Sequence, residues 1–251
     1  MRDTPIVAWG QGEPVVLVHG SGDTDPAFVW NNQRPLAERY QLLVITRPGY
    51  GEQPVVSRET VAQDVGELLA LLQSKGGGHL VGYSYGGSIA LMAAARRPDL
   101  IRSLAVIEPP AFAAARGHPA VEEQINKLKT AYEPERPLTT EEFLIRFMRA
   151  FDQDIPDTFI LPPEDCKGIE AMRAEPAPWL LEIPLEALEA TSFPKLVISG
   201  NWHPAFEAVA DVLTQRLQAE HIVCEGNGHY ILDTGERINQ HLDAFLRRDA
   251  C

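Results

Sequence analysis

The chain has 251 residues, which is long enough for one α/β domain with a substantial hydrophobic core. Hydrophobic residues make up 45% of it and charged residues 23%, a composition typical of a globular protein. The formal net charge is −13 and the acidic residues are spread along the chain, so neither nucleic acid nor an anionic membrane surface is expected as a partner.

Three cysteines, Cys166, Cys224 and Cys251, are scattered along the chain without the spacing of metal ligands, which indicates a reducing compartment. The first residues lack the apolar run of a signal peptide, and no stretch is long and apolar enough to predict a membrane span. We therefore expect a cytoplasmic protein with no membrane partner. No nucleotide loop, metal cluster or flavin fingerprint is recognisable, so no cofactor or metal is expected, and the oligomeric state stays open.

Strand and helix patterns alternate over the first 110 residues, after a short segment, Ile6–Trp9, that predicts a short or missing opening hairpin. In chain order, the predicted elements are strands Pro14–Val18 and Leu42–Thr46, helix Arg58–Gln73, strand His79–Tyr83, helix Tyr85–Arg97 and strand Ser103–Ile107. Strands that alternate with helices of this length predict parallel strands joined by right-handed crossovers.

The alternation stops between residues 111 and 192, where prolines cluster and no convincing strand is found. The helical candidates there are Val121–Tyr132, Thr140–Phe151 and Pro184–Ala190. The pattern then resumes with strand Lys195–Ser199, helix Phe206–Leu217, strand His221–Glu225 and helix Glu236–Arg247. We therefore predict a core domain made of residues 1–110 and 193–251, with residues 111–192 inserted as a helical cap.

The most informative motif lies between a predicted strand and the helix that follows it. It reads Gly82-Tyr83-Ser84-Tyr85-Gly86. A serine between small residues in a strand–turn–helix context is typical of a nucleophile elbow, a turn so tight that a side chain on either glycine would clash. Because such a turn exposes the serine hydroxyl above the helix N-terminus, Ser84 is predicted to be a nucleophile.

Four more motifs accompany this elbow. In chain order they are His19-Gly20-Ser21-Gly22, Arg47-Pro48-Gly49-Tyr50-Gly51, Glu108-Pro109-Pro110 and Gly226-Asn227-Gly228-His229. In this order and spacing, the five motifs resemble those of the α/β-hydrolase superfamily, and the resemblance covers nearly the whole chain except the predicted cap. It implies an α/β fold with a mostly parallel central sheet flanked by helices and an inserted helical cap.

The resemblance also suggests roles for several residues. His229, in a glycine-rich loop after the last predicted strand, stands where the superfamily keeps its catalytic base. The N–H group of Tyr85 and that of Ser21 are the expected donors of an oxyanion hole, because such a site needs preorganised N–H groups. His19 is expected to shape its own loop, and Arg47 is expected to tie loops together without a catalytic role.

The acidic partner of His229 departs from the commonest pattern. In most relatives an aspartate follows the closing glycine of the penultimate strand, but here Gly200 is followed by Asn201-Trp202-His203. In some branches, including certain haloalkane dehalogenases and zearalenone-type lactonases, the acid instead follows the strand after the nucleophile.

Glu108 stands at that second position, and a carboxylate there can orient the base and stabilise its imidazolium form. Glu207 and Asp211 are alternatives, but both fall in a predicted helix and are expected to point away. We therefore predict Glu108 as the third catalytic residue. His203 is expected to contact the substrate or to support the site from its edge.

Large apolar residues near the motifs predict an aromatic-rich cleft with few charged anchors. The candidate substrate-binding residues are Trp30, Tyr83, Phe112, Trp179, Trp202 and His203. Since no cluster of Lys or Arg that could hold a phosphate or coenzyme A tail is found near the motifs, we expect a neutral small-molecule ester or lactone, cleaved through an acyl-enzyme. The alternatives are a C–C bond hydrolase of aromatic degradation, a ligand-sensing or inactive relative, and cofactor-free oxygen chemistry.

Overall fold

The computed structural model describes residues 4–249, in which seven strands form one sheet. The strands are β1 (Ile6–Trp9), β2 (Glu13–Val18), β3 (Tyr40–Ile45), β4 (Gly78–Tyr83), β5 (Ile101–Ile107), β6 (Lys195–Ser199) and β7 (Glu220–Val223). Their order across the sheet is β1-β3-β2-β4-β5-β6-β7, and β1 is antiparallel to β3 while the other neighbouring pairs are parallel. The mostly parallel sheet predicted from the sequence is thus confirmed.

Helices connect these strands. The α-helices of the described residues are α1 (Pro26–Val29), α2 (Ala62–Ser74), α3 (Tyr85–Arg96), α4 (Pro119–Tyr132), α5 (Thr140–Ala150), α6 (Pro163–Arg173), α7 (Leu185–Glu189), α8 (Pro204–Leu217) and α9 (Glu236–Leu246). Short 3₁₀ helices cover Asn31–Glu38, Pro98–Leu100, Phe112–Ala115, Pro178–Leu180, Ile231–Thr234 and Arg247–Asp249.

The core lies on both faces of the sheet, because successive side chains of a strand point to opposite faces. On β2, Val16 and Val18 belong to the cluster that includes α2, α3 and α8, whereas Val15 and Leu17 belong to the cluster that includes α9. All four side chains are fully buried. Burial of each such side chain stabilises the fold by about 1.5–3 kcal/mol, so both helical layers are held to the sheet.

The opening of the sheet is short, as the sequence predicts. β1 has four residues and does not pair with β2, because β3 lies between them, with Ile6 opposite Ile45 and Trp9 opposite Leu42. The first two strands therefore do not form a hairpin.

The chain between β5 and β6 is helical. Residues 111–192 contain α4 to α7 and no strand. The helical candidates from the sequence do not include α6, whose N-cap and first position are Pro162 and Pro163, where a missing N–H costs nothing. The treatment of this helical segment as a separate cap domain stays a prediction.

Cys166 and Cys224 are free cysteines, and Cys251 lies outside the described residues. Among residues 4–249, no helix combines the length and the apolar character needed to cross a bilayer.

Candidate active site

Ser84 lies in a strained turn between β4 and α3. Its backbone has φ 52° and ψ −128°, in the left-handed region that non-glycine residues seldom adopt. A Cβ atom on Gly82 would lie 2.5 Å from the Gly86 carbonyl oxygen, and one on Gly86 would lie 2.3 Å from the His19 carbonyl oxygen. Both positions therefore require glycine, as a nucleophile elbow does.

The structure brings Ser84, His229 and Glu108 together in one hydrogen-bonded chain. His229 Nε2 lies 2.9 Å from Ser84 Oγ, and His229 Nδ1 lies 3.1 Å from Glu108 Oε2. The Glu108 side chain is completely buried, whereas that of His229 is 22% exposed. An imidazole held this way can accept the serine proton on one nitrogen while a carboxylate binds the other.

Glu108 reaches His229 because β5 lies next to β6. The Glu108 N–H donates to the Ile198 carbonyl at 2.9 Å, and the residue itself has a positive φ of 50°. Its carboxylate accepts further hydrogen bonds from the Gly200 N–H and the Trp202 indole N–H, both at 2.6 Å. The loop without an aspartate thus supplies two donors that hold an acid from the neighbouring strand.

The other two acidic candidates do not contact His229. Glu207 accepts hydrogen bonds from the Ser199 hydroxyl at 2.8 Å and from the Asn201 N–H at 2.9 Å. Asp211 is exposed on α8. Of the three carboxylates, only Glu108 lies within hydrogen-bonding distance of the histidine.

Aromatic rings surround the His229 imidazole. Ring centroids lie 5.1 Å away for Phe206, 5.4 Å for Tyr83 and 5.7 Å for Trp202. The Tyr83 hydroxyl also donates to the His229 carbonyl at 3.1 Å. Phe206 was not among the sequence candidates; it lies in the first turn of α8, and its ring centroid is 5.3 Å from that of Trp202, which precedes the helix.

The loop after β2 is shaped by His19 and Arg47. The His19 ring lies 2.8 Å from the Gly20 carbonyl oxygen through Nδ1, and its Nε2 accepts from the Arg47 backbone N–H at 3.1 Å. Burial, with the Arg47 charge, lowers the pKa of His19 well below its ordinary value, so the ring is neutral and can accept through Nε2. The Arg47 guanidinium donates to the Gly20 carbonyl at 2.8 Å.

Comparison with known proteins shows the family of the chain. The model of the alpha/beta hydrolase family matches residues 15–241, which is nearly the whole chain. The chain belongs to the alpha/beta hydrolase family.

Individual relatives of this α/β hydrolase match it less completely. It is 32% identical over 115 residues to a pimeloyl-acyl-carrier-protein methyl ester esterase of Methylococcus capsulatus (45% of this chain, 44% of the relative). It is 30% identical over 112 residues to lipase LipV of Mycobacterium tuberculosis (43% and 42%). The chain thus covers less than half the length of these relatives. An alpha/beta hydrolase structure from Sphaerobacter thermophilus superposes with a TM-score of 0.70 at 24% identity, covering 96% of this chain and 95% of that one.

Two of the predicted substrate-binding residues of this α/β hydrolase belong to its core. Trp30 and Phe112 are completely buried, Trp30 against the Tyr83 ring and Phe112 against Phe206. Both rings face the interior, and their assignment as substrate contacts stays a prediction. Proximity to a motif in sequence does not decide which way a large side chain points, and burying apolar area directs both rings inward.

The remaining candidates lie closer to the site or to the helical segment. Trp179 is 3% exposed and packs against Tyr132. His203 is half-buried, and its ring accepts a hydrogen bond from the Ala205 N–H at the start of α8. One ring nitrogen therefore caps the helix.

Trp202 holds the acid through its indole N–H, so Trp202→Phe is expected to lower kcat about tenfold. This is the order expected for the loss of one hydrogen bond to a buried charged group. Steady-state kinetics with an activated ester measures the effect. Trp9→Phe on β1 provides a matched control that should leave kcat unchanged, and an equal kcat for Trp202→Phe and the parent would contradict the role.

Asp23 lies beside the site in the loop after β2. Part of the residue is exposed, but neighbouring protein partly desolvates its carboxyl, and Asp165 and Asp233 repel its negative charge. Together these effects raise the pKa of Asp23 from 3.8 to about 6, against a smaller opposing effect of His229. An acidic group thus stands near the histidine.

We expect Asp23→Asn to raise the Tm of this α/β hydrolase at about pH 8 and to change it little at about pH 4. Because the folded-state pKa lies above the ordinary 3.8, ionisation destabilises the fold above pH 6, and the penalty is lost as the pH falls from about 6 towards 3.8. Thermal unfolding by circular dichroism measures both differences. The exposed Asp154→Asn is the control, and a pH-independent effect of Asp23→Asn would contradict the assignment.

Proposed function

We propose that this protein is a serine hydrolase that cleaves a neutral carboxylic ester or lactone through an acyl-enzyme. The observation that carries the proposal is the hydrogen-bonded chain from Ser84 through His229 to Glu108, with links of 2.9 and 3.1 Å. Serine is a weak nucleophile unless a base lies within hydrogen-bonding distance, and His229 satisfies that condition.

In the proposed reaction, Ser84 Oγ attacks the carbonyl carbon of the substrate while His229 Nε2 accepts the hydroxyl proton. His229 then donates that proton to the departing alcohol oxygen as the C–O bond breaks, which leaves an acyl group on Ser84. Water attacks the acyl carbon with His229 again as base, releasing the acid and restoring the serine. Glu108 orients the ring and stabilises its imidazolium form in both halves.

The N–H groups of Tyr85 and Ser21 are the proposed donors to the oxyanion of each tetrahedral intermediate. Tyr85 is the first residue of α3, so its N–H belongs to the first turn, whose amides lack partners within the helix and favour negative charge. Ser21 lies across the site in the loop that contacts the elbow: a Cβ on Gly20 would lie 2.8 Å from Ser84 Cβ. Both proposed donors thus belong to segments next to the nucleophile, which supports the assignment.

The surroundings of His229 support a neutral, apolar substrate. Trp202 and Phe206 contact its ring, and Phe151 extends this aromatic surface with centroids 5.8 and 6.1 Å from theirs. Asp23 beside the site would repel a carboxylate substrate above about pH 6. The relative named as a methyl ester esterase supports ester chemistry for this chain as well.

A fluorophosphonate probe tests the proposal directly, because it forms a covalent adduct only with an activated serine. We expect labelling of Ser84, located by mass spectrometry of the digested protein, together with hydrolysis of p-nitrophenyl acetate and butyrate. A folded protein that is neither labelled nor active on esters and lactones would overturn the proposal and favour a ligand-sensing role.

A further inference from the structure

A cluster of buried charges lies behind the loop after β2. It consists of Arg47, Asp64, Arg58 and Glu175, and it is named the buried charge cluster here. The side chains of Arg47, Asp64 and Glu175 are 1% exposed and that of Arg58 is 11% exposed. Three members come from the first part of the chain, but Glu175 comes from the helical segment, just after α6.

Glu175 joins this cluster to the proposed oxyanion loop. One of its carboxylate oxygens accepts a hydrogen bond from the Ser21 hydroxyl, and the other binds the Arg47 guanidinium and lies 3.3 Å from Arg58 Nη2. Arg47 in turn donates to the Gly20 carbonyl at 2.8 Å. Two successive residues of the loop are thus held by one pair of opposite charges.

The next residue of the helical segment holds the other proposed donor. The Tyr85 hydroxyl donates to the Pro176 carbonyl at 2.9 Å, and the Arg47 guanidinium lies over the Tyr85 ring at 4.9 Å. Both residues whose N–H groups are proposed to bind the oxyanion, Ser21 and Tyr85, are therefore attached by their side chains to residues 175 and 176.

Helix α6 also packs closely against the same loop. A Cβ on Gly168 would lie only 2.1 Å from the Gly22 carbonyl oxygen, and the Ile169 and Met172 side chains lie within 3.7 Å of the Cβ position of Gly22. A glycine is thus required on α6 for this approach. The loop is therefore contacted both by the buried charge cluster and by α6.

Stability alone is a poor explanation for such a cluster. Removing charges from water costs several kcal/mol for each ion, and well-packed apolar residues often replace buried ion pairs without loss of stability. Burial raises the pKa of Glu175, whereas the Arg47 charge and the Ser21 hydroxyl lower it by favouring the ionised form. Charged, directional contacts fix the orientation of the groups that they bind, whereas apolar packing does not.

We propose that Glu175 is a positioning residue for the oxyanion site. Through its hydrogen bond to the Ser21 hydroxyl, it holds the Ser21 N–H in place. Acyl transfer therefore requires residues 175 and 176 to be packed against this loop and Tyr85. This inference rests on the proposed serine hydrolase function. It assigns to the helical segment a role in the chemical step.

Ser21→Ala is the most informative variant, because it removes the hydroxyl that Glu175 binds and keeps the backbone N–H. We expect kcat for p-nitrophenyl butyrate to fall at least about tenfold with KM changed by less than about threefold, since a misplaced donor weakens only the transition state. Glu175→Gln should give a similar loss, and the double variant should lose no more than the larger single effect, because both changes break one contact.

The controls separate a misplaced donor from a damaged fold. Rates are expressed per active site, counted by fluorophosphonate labelling, and Glu170→Gln, an exposed change on α6, should match the parent. Affinity for a boronic acid that forms a tetrahedral adduct on Ser84 should fall in parallel with kcat/KM, which a merely structural role would not cause. If Glu175→Gln does not fold, Ser21→Ala alone carries the test.

The outcomes distinguish this inference from the function on which it rests. An active, labelled parent whose Ser21→Ala and Glu175→Gln variants keep kcat within about twofold would overturn the inference alone. Losses that multiply in the double variant would also overturn it, because the two residues would then act independently. A parent without labelling or turnover would overturn the serine hydrolase function, and this inference with it.

Discussion

Replacing Ser84 with alanine is expected to lower kcat for p-nitrophenyl butyrate by about five orders of magnitude or more, as loss of a serine nucleophile does in other hydrolases. Without Oγ, His229 has no nucleophile to deprotonate and no acyl-enzyme forms. Alanine keeps the Cβ that the strained backbone already accommodates, so the Tm should stay close to that of the parent. Kinetics and thermal unfolding of the same preparation measure both quantities.

Ser88→Ala is the matched control for this experiment. Ser88 lies one helical turn further along α3, is completely buried, and its hydroxyl has no hydrogen-bond partner among residues 4–249. Alanine there should leave kcat unchanged and the Tm equal or slightly higher, because alanine has the higher helix propensity. Retention of turnover by Ser84→Ala, with the fluorophosphonate still attached elsewhere, would contradict the proposed mechanism.

Glu108→Gln is expected to lower kcat by about 10³–10⁴-fold with a small change in KM, as neutralising the acid of a serine–histidine pair does. The glutamine amide has one acceptor oxygen where the carboxylate has two, so it cannot serve the Gly200 N–H, the Trp202 indole and His229 together. The imidazolium also loses its counter-charge. Steady-state kinetics on the ester series measures the loss.

Glu207→Gln makes the comparison decisive, because Glu207 also binds the loop after β6, through the Asn201 N–H, but does not contact His229. Its kcat should stay within a few fold of the parent. Equal losses in the two variants would mean that the conformation of the loop matters and the charge beside the histidine does not. An unchanged kcat for Glu108→Gln would mean that Ser84 and His229 act without a catalytic acid partner.

Much of the fold could be predicted because its signals are local. The predicted strand at 79–83 and helix at 85–97 differ from β4 and α3 by one residue, since a short apolar run after glycines marks the first and a run of helix formers before Pro98 marks the second. The predicted helix at 58–73 begins too early: α2 starts at Ala62, and Arg58 instead forms an ion pair with Asp64. A periodic pattern does not show where an ion pair between residues six positions apart takes the place of a helical turn.

The residues of the candidate site also fall into two groups, those with a local sequence signal and those without one. Ser84 and His229 could be predicted because each lies in a glycine-containing motif whose meaning is contained in a few neighbouring residues. Trp202 could be named, but its hydrogen bond to Glu108 joins residues 94 positions apart, so the sequence points to a pocket residue where the structure places a support for the acid. Glu175 has no motif at all, and its bond to Ser21 spans 154 positions.

The sequence by itself determined the family, the mostly parallel sheet and the elbow, because these follow from patterns of neighbouring residues; at Gly82 the glycine requirement is local, since a Cβ there would meet the Gly86 carbonyl of the same turn. The sequence favoured Glu108 among three carboxylates, but only the tertiary structure shows that Glu108 faces His229 and what holds the loop of Ser21. Both contacts depend on the order of the strands and the packing of the helices, which bring distant residues within hydrogen-bonding distance. β5 pairs with β6, so Glu108 meets Gly200, and α6 packs on the loop after β2, so Glu175 meets Ser21.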